Sequence, residues 1–352
     1  MGAFREDRRL SARCACPAEA PLRHDSWLEP MAAGAPHPRK ARSARAVGRP
    51  SQAGASPNEL DDSRSMATRL VIINADDFGA SPAVNQAVAR AYDEGVLTSC
   101  SLMVGGDAFE EAVALAKARP GLAVGLHLTL VCGKSALPAA AIPHLTDAQR
   151  RFSSNPVAAG LRYFLDPRCR AELGREIRAQ FERFMATRLP CSHVDGHLHF
   201  HLHPAVFPIL ADCAAAFGVR FIRLPRERLW RNLAIRWRGW PVKLLHRAMF
   251  GWLARGASRQ MARRGLRCAD EVHGLYETGR FTEDYWLALL DRLGAEAPGR
   301  AHEIYCHPEA PSPMLPAHNA QGPDELAALL SPAVRARLRR ANLRPATYAD
   351  LL

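Results

Sequence analysis

From Arg69 onward the chain alternates short apolar runs with amphipathic helical stretches, and that rhythm restricts it to folds built on a parallel sheet. Residues 70–74 have the continuity of a strand buried on both faces. Ser81 and Pro82 then supply a helix cap and first turn, Val84, Val88, Ala91 and Tyr92 form one helical stripe, and Gly95 stops it. The spacing predicts further strands at 97–104, 123–130, 220–224 and 303–307. It predicts helices at 108–119, along Leu173, Ile177, Phe181 and Phe184, at 204–217, at 281–293 and twice near the C-terminus. The proline-bearing stretch 133–167 reads as a loop or lid. Serial units of this kind imply an α/β parallel sheet or barrel.

One stretch stands apart. Residues 192–204, SHVDGHLHFHLHP, place His193, Asp195, His197, His199, His201 and His203 at odd positions. In an extended strand these side chains share a face. Imidazole and carboxylate are ligands for zinc-like ions. At about 3.3 Å per residue the row is too long to serve one ion, so neighbours at most share a metal and other ligands come from elsewhere.

Composition narrows the partners. The chain carries 47 Lys and Arg against 35 Asp and Glu, a net charge of +12. Residues 226–267 hold 12 of those bases and a single acid, so the excess is almost entirely local. Trp230, Trp237, Trp240 and Trp252 fall in the same segment. Leu229, Leu233, Trp237 and Trp240 fit one helical face; Leu244, Leu245, Met249, Trp252 and Leu253 fit another after a break at Pro241. Cationic helices with Trp and Leu suit an anionic membrane surface, here the inner face of the cytoplasmic membrane, as peripheral contact. No nucleic-acid motif accompanies the charge, so nucleic acid is not an expected partner. Nine cysteines without CxxC pairing read as reduced thiols of a cytoplasmic protein, and the charged N-terminus does not read as a secretory signal. Residues 1–65, rich in Ala, Arg, Pro and Ser, read as an unstructured tail or a mis-called upstream start; the domain is expected over 66–352. A homodimer is left open.

Sites in such folds form at the carboxyl ends of strands. Four strand ends carry candidates: Asp76 and Asp77 in IINADDFG, His127 in GLHLTL, the histidine row, and His307 in IYCHPE. Each of the other three has a structural explanation: a turn cap, a satisfied core histidine, a strand stop. All four at one topological edge favour a single metal site.

Taken in order, IINADDFG, GLHLTL, HVDGHLHFH and YCHP resemble the YdjC-like carbohydrate deacetylases over 69–352. The resemblance implies a distorted (β/α) barrel of the glycoside hydrolase/deacetylase type, here with a basic helical insertion, and metal-dependent removal of N-acetyl groups from sugars. The Trp-rich segment is most similar to the hopanoid biosynthesis-associated branch, which implies an N-acetylglucosaminyl lipid, a hopanoid, as substrate. Soluble chito-oligosaccharides are the alternative substrate, and a non-catalytic membrane-binding metal protein is the alternative of another class. Carried over by position, the resemblance makes Asp77, His127 and His197 ligands of one divalent ion. Two imidazoles and a carboxylate favour Zn2+ by softness, whereas family members are often described with Mg2+. By analogy with related polysaccharide deacetylases Asp76 is expected to be the general base, and His307, at the end of its own strand, is chosen here as the general acid. His199 is the alternative acid, and His193, Asp195, His199 and His201 support the ligands or face substrate. Leu198 stands where some members have a further histidine, a departure not expected to touch a ligand.

Overall fold

The central strand, β1 (Arg69–Phe78), is the one with the longest apolar run. The structure is a computed structural model and describes residues 69–311 and 321–352; the reading of 1–65 and the domain start at Met66 lie outside these. Along β1 the faces divide by alternation. Val71, Ile73 and Ala75 join the main apolar core, while Ile72, Asn74 and Asp76 point the other way. One edge of β1 pairs with β6 (Ala301–Cys306). The other edge is shared: β7 (Leu343–Ala346) takes the first half and β2 (Ser99–Leu102) the second. With β3 (Ala123–Leu128), β4 (Cys191–Gly196) and β5 (Glu271–His273), every pairing is parallel and the order is β4–β3–β2–β1–β6–β5.

Parallel neighbours need crossovers, and helices supply them. α1 (Pro82–Asp93) is capped by Ser81, whose side chain accepts from Val84 N, and Pro82 opens the first turn. α2 (Phe109–Lys117), α3 (Pro156–Leu165), α4 (Pro167–Ala186) and α5 (Phe207–Ala216) follow. α3 lies inside the stretch read as a loop or lid. Its signals, Asn155 as cap and Pro156 in the first turn, are local and legible, but its Val157, Leu161, Phe164 and Leu165 are exposed, so no buried stripe announced it.

Residues 220–224 do not form the expected strand. Phe221 and Ile222 make single parallel bridges to Arg267 and Val194, and Val272 N donates to Arg226 O at 3.2 Å. This thin link spans the gap between the edge strands β4 and β5, and the curled sheet is a distorted barrel.

The basic segment forms α6 (Leu229–Ile235) and α7 (Trp240–Arg263), divided at Gly239, whose φ of 76° only glycine adopts freely, and at Pro241 in the first turn of α7. It is not a simple appendage. Ala254, Ala257 and Met261 belong to the main core, and Leu229 and Leu233 pack on Leu275 and Tyr276. The face expected to combine Leu229, Leu233, Trp237 and Trp240 is therefore split: the leucines turn inward and all four tryptophans of the segment outward. α8 (Glu283–Gly294), α9 (Gly322–Leu330) and α10 (Pro332–Arg340) complete the shell. No helix among the described residues is long and apolar enough to cross a membrane.

Candidate active site

Inside the curled sheet the inward positions are polar. Asn74 and Asp76 come from β1, Ser101 from β2, His127 from β3, His193 and Asp195 from β4, and Glu303 and Tyr305 from β6, all buried. Such groups must be hydrogen-bonded. Arg223 meets this demand. Its fork holds both oxygens of Asp76 at 2.7 and 2.8 Å, reaches Asp195 Oδ2 at 2.7 Å and Glu303 Oε1 at 2.8 Å, and lies over the Tyr305 ring. Tyr348 donates to the other oxygen of Glu303. Asn74 Nδ2 donates to Asp76 Oδ1 and to Ser101 Oγ, and Ser101 donates to Asp195 Oδ2 at 2.8 Å.

Asp76 and Asp77 are adjacent yet serve different places. The register of β1 on β2 slips between Ala75 and Phe78, and Asp77 takes a left-handed φ of 63°, a conformation Asp tolerates better than most side chains. Asp76 therefore points into the barrel and Asp77 across its mouth. Asp77 Oδ1 lies 3.2 Å from His127 Nε2 and 2.8 Å from His197 Nδ1. Burial works to raise the Asp77 carboxyl, but His197 and His127 hold it well below the usual carboxylate range.

His127 Nδ1–H donates to Asp195 Oδ1 at 2.8 Å, which leaves Nε2 aimed at Asp77. Burial alone would depress this imidazole; Asp195 and Asp77 outweigh it and lift it well above its ordinary value. Two lone pairs in that approach require a positive charge between them, a proton or a metal ion. The donor atoms of Asp77, His127 and His197 all lie within 4.8 Å of one another, and one carboxylate with two imidazoles fits a divalent ion.

Two other groupings meet the same spacing but are answered by arginines. In the grouping of Asp76, His127 and Asp195, both carboxylates meet the guanidinium of Arg223, and His127 is held by Asp195. In the grouping of Glu271, His273 and His302, on β5 and the start of β6, the arginines meet the carboxylate: Arg231 by hydrogen bond, Arg228 at 3.4 Å and Arg300 at 3.9 Å, while His273 Nε2 lies 3.3 Å from His302 Nδ1 and the other nitrogen of each ring is buried without a hydrogen-bond partner.

The histidine row is not one face. Strand pairing ends at Gly196, level with the end of β3, and His197–Leu202 winds into a 3-10 turn with Leu198 and His199 at φ of 53° and 55°. The rings disperse. His193 stays inside, held between Ser192 Oγ at 2.7 Å and Ser101 Oγ at 3.1 Å, and burial pushes it down to about 4. A side chain at Gly125 would meet this ring at 2.3 Å, so the opposing strand position must be glycine. His197 reaches Asp77, His199 Nε2 meets the Tyr305 hydroxyl at 2.7 Å, and His201 Nε2–H donates to Arg223 O at 3.0 Å. His203 packs on Phe200 and α3. Burial, then His201 and Arg223, hold His199 well below 6.5 and therefore neutral. His193, Asp195 and His201 touch the network around Arg223 directly, and His199 joins it through Tyr305 while also lining the open cavity.

His307 Nε2 lies 3.8 Å from Asp76 Oδ2, and its Nδ1 is buried without a partner. Its backbone N–H donates to Glu325 of α9. Asp76, His197, His199 and His307 border one cavity of about 460 Å3, closed on one side by Val242, Met249 and Phe250 of α7. Nothing in the local pattern marks Arg223, Ser101, Asn74 or Tyr305 as members of the site. An arginine between Ile222 and Leu224 in an apolar run was the one signal available.

The family model of the YdjC-like protein matches residues 70–340. A carbohydrate deacetylase of Geobacillus stearothermophilus is 32% identical over 288 residues, covering 80% of this chain and 98% of that protein. A carbohydrate deacetylase of Brevibacillus brevis is 43% identical over 149 residues, 42% of this chain, and the match spans only 57% of that protein. A crystal structure from Enterococcus faecalis, described as that of a cellobiose-phosphate cleavage protein, superposes with a TM-score of 0.63 at 25% identity, covering 81% of this chain and 99% of that one.

Proposed function

The chain belongs to the YdjC-like protein family, and from that premise we propose that it is a metal-dependent carbohydrate N-deacetylase whose acetylated sugar is carried on an apolar lipid, a hopanoid in the finest form of the reading. The observation that carries the deacetylase chemistry is the pairing of a carboxylate–imidazole set, Asp77, His127 and His197, with Asp76 fixed by Arg223 beside it.

A divalent ion on Asp77, His127 and His197 would polarise an acetyl carbonyl and lower the pKa of a water. The chain's own residues do the rest. Asp76, gripped at both oxygens, accepts the proton of the attacking water. Arg223 and Asn74 keep its carboxylate from rotating away. Asp195 fixes the tautomer of His127, so that Nε2 faces the ligand set. His307 hands a proton to the departing amine. His199 is the weaker candidate for that step, because its burial keeps it unprotonated.

What favours a lipid-borne sugar is the cavity wall. Val242 and Met249 are exposed apolar side chains that line the catalytic cavity, and the tryptophans of the same segment face outward. The test is incubation of the purified protein and a divalent metal with an N-acetylglucosaminyl lipid and, separately, a chito-oligosaccharide, followed by mass spectrometry. Loss of one acetyl group from the lipid-linked sugar, at higher kcat/KM than from the soluble one, is expected. Preference for the soluble sugar removes the lipid and leaves the deacetylase. Asp76→Asn should keep its metal and lose about 10²–10⁴ in rate; full activity in that variant removes Asp76 from the mechanism.

A further inference from the structure

The catalytic cavity has a larger neighbour. Across a wall made by Phe250, Leu275 and Tyr276 lies a groove of about 910 Å3 between α7 and the segments around 225–228 and 270–276. α7 presents three faces. Ala254, Ala257 and Met261 are buried. Val242, Leu245, Met249 and Trp252 recur at helical spacing and are exposed, Leu245 by 66% and Trp252 by 64%. Between these two, Arg247, Arg255 and Arg259 line the groove.

These three arginines have no carboxylate partner among the described residues. Arg226, Arg228 and Arg300 face them from the other side. The acids present do not cancel this charge. Asp270 is a single carboxylate against six arginines on this lining, and Glu271 is shared among Arg231, Arg228 at 3.4 Å and Arg300 at 3.9 Å, which leaves Arg247, Arg255 and Arg259 unmatched. Glu227 is buried, and burial pushes its carboxyl up to about 8. A concave surface with several unanswered guanidinium groups fits a phosphate group, which Arg recognises with two parallel hydrogen bonds. A free anion would leave the apolar stripe alongside without a role. Two of that stripe's residues, Val242 and Met249, also border the catalytic cavity. α3, packed near Phe200 and His203 at the other end of the 3-10 turn, exposes Val157, Leu161, Phe164 and Leu165 in the same manner.

We infer that the arginine groove binds the phosphate-bearing headgroup of an anionic bilayer lipid while the stripe of Leu245 and Trp252 enters the bilayer, which sets the catalytic cavity against the membrane surface. The inference rests on the membrane-facing part of the reading above, but binding does not require turnover. The test is co-sedimentation of the full chain with phosphatidylcholine vesicles, with and without phosphatidylglycerol. The triple variant Arg247→Gln, Arg255→Gln, Arg259→Gln is compared with a control triple of the same charge, Arg188→Gln, Arg339→Gln, Arg340→Gln, on surfaces away from the groove. Wild-type protein should bind the anionic vesicles, and the groove triple should bind them on the order of 100-fold more weakly, about fivefold per arginine. The control triple should bind as wild type, and both triples should melt with it. Absence of wild-type binding, equal loss in both triples, equal affinity for neutral vesicles, or full displacement by glycerol phosphate or a duplex oligonucleotide each overturns the inference. If no sugar is deacetylated but only the groove triple releases vesicles, the inference stands and the function falls. If sugar is deacetylated and the groove triple binds as wild type, the reverse holds.

Discussion

Arg223 and the arginines of α7 bring one side chain into opposite settings. Arg223 is wholly buried and contacts three carboxylates, Asp76, Asp195 and Glu303, from three strands. Arg247, Arg255 and Arg259 are exposed, with no carboxylate in reach among the described residues. The surroundings are inverted too: the barrel encloses polar groups, whereas α7 turns Leu245 and Trp252 to solvent. A buried charge is tolerable only when matched, so the inner network is one unit whose members position each other. An exposed charge beside exposed apolar surface adds little to stability, so what it is suited to lies outside the chain.

The largest effect that would break this contrast is at Arg223. Arg223→Met leaves three buried carboxylates unmatched and should cost about 3–5 kcal/mol in denaturant unfolding. Arg223→Lys restores charge without the fork, and should recover stability better than it recovers deacetylation. An Arg223→Met protein as stable as wild type would show that the network is not a unit.

Acid should strain the barrel's buried imidazoles. Burial depresses His193, His201 and His302 from 6.5 to about 4. Between those values the unfolded chain binds protons that the folded chain refuses. Their contribution is therefore complete above pH 6.5 and falls as pH drops toward 4, by on the order of 3 kcal/mol per ring. Thermal unfolding across that window reads it, and a flat profile would mean the rings are not held neutral.

Asp195→Asn keeps the shape beside His127 but weakens the acceptor on Nδ1. Metal affinity, titrated directly, should fall by about 10–100-fold. An unchanged affinity would place Asp195 with Arg223 alone.

The smallest effect on the fold is expected outside. Leu245→Ser with Trp252→Ser should shift stability by no more than about 0.5 kcal/mol and leave turnover of a soluble sugar as it was. Anionic vesicles should nevertheless bind more weakly. Marked destabilisation would show that another surface already covers this face.

Much of the site's position was legible. Each of β1, β3, β4 and β6 ends at a polar cluster named from the spacing of IINADDFG, GLHLTL, HVDGHLHFH and YCHP. The distorted barrel is the fold those units, and the family they resemble, implied. The histidine row departs from the strand pattern beyond Gly196. Alternation at every second residue is a local pattern, but a strand also needs a partner, and β3 offers none past Leu128. Strand 220–224 failed for the same reason, reduced to single bridges. α3 leaves no buried apolar stripe in the sequence because Val157, Leu161, Phe164 and Leu165 face out.

What the sequence by itself determined is the set of elements and the chemistry at their ends, because periodicity, caps and residue types are local. The tertiary structure alone decided which of those groups meet. Asp77 reaches His127 and His197 across 50 and 120 positions because strands β1, β3 and β4 converge at one mouth. Arg223 became the centre of the site because inward-facing carboxylates of three strands, β1, β4 and β6, close around it, and whether a charge is buried depends on neighbours that no local stretch contains.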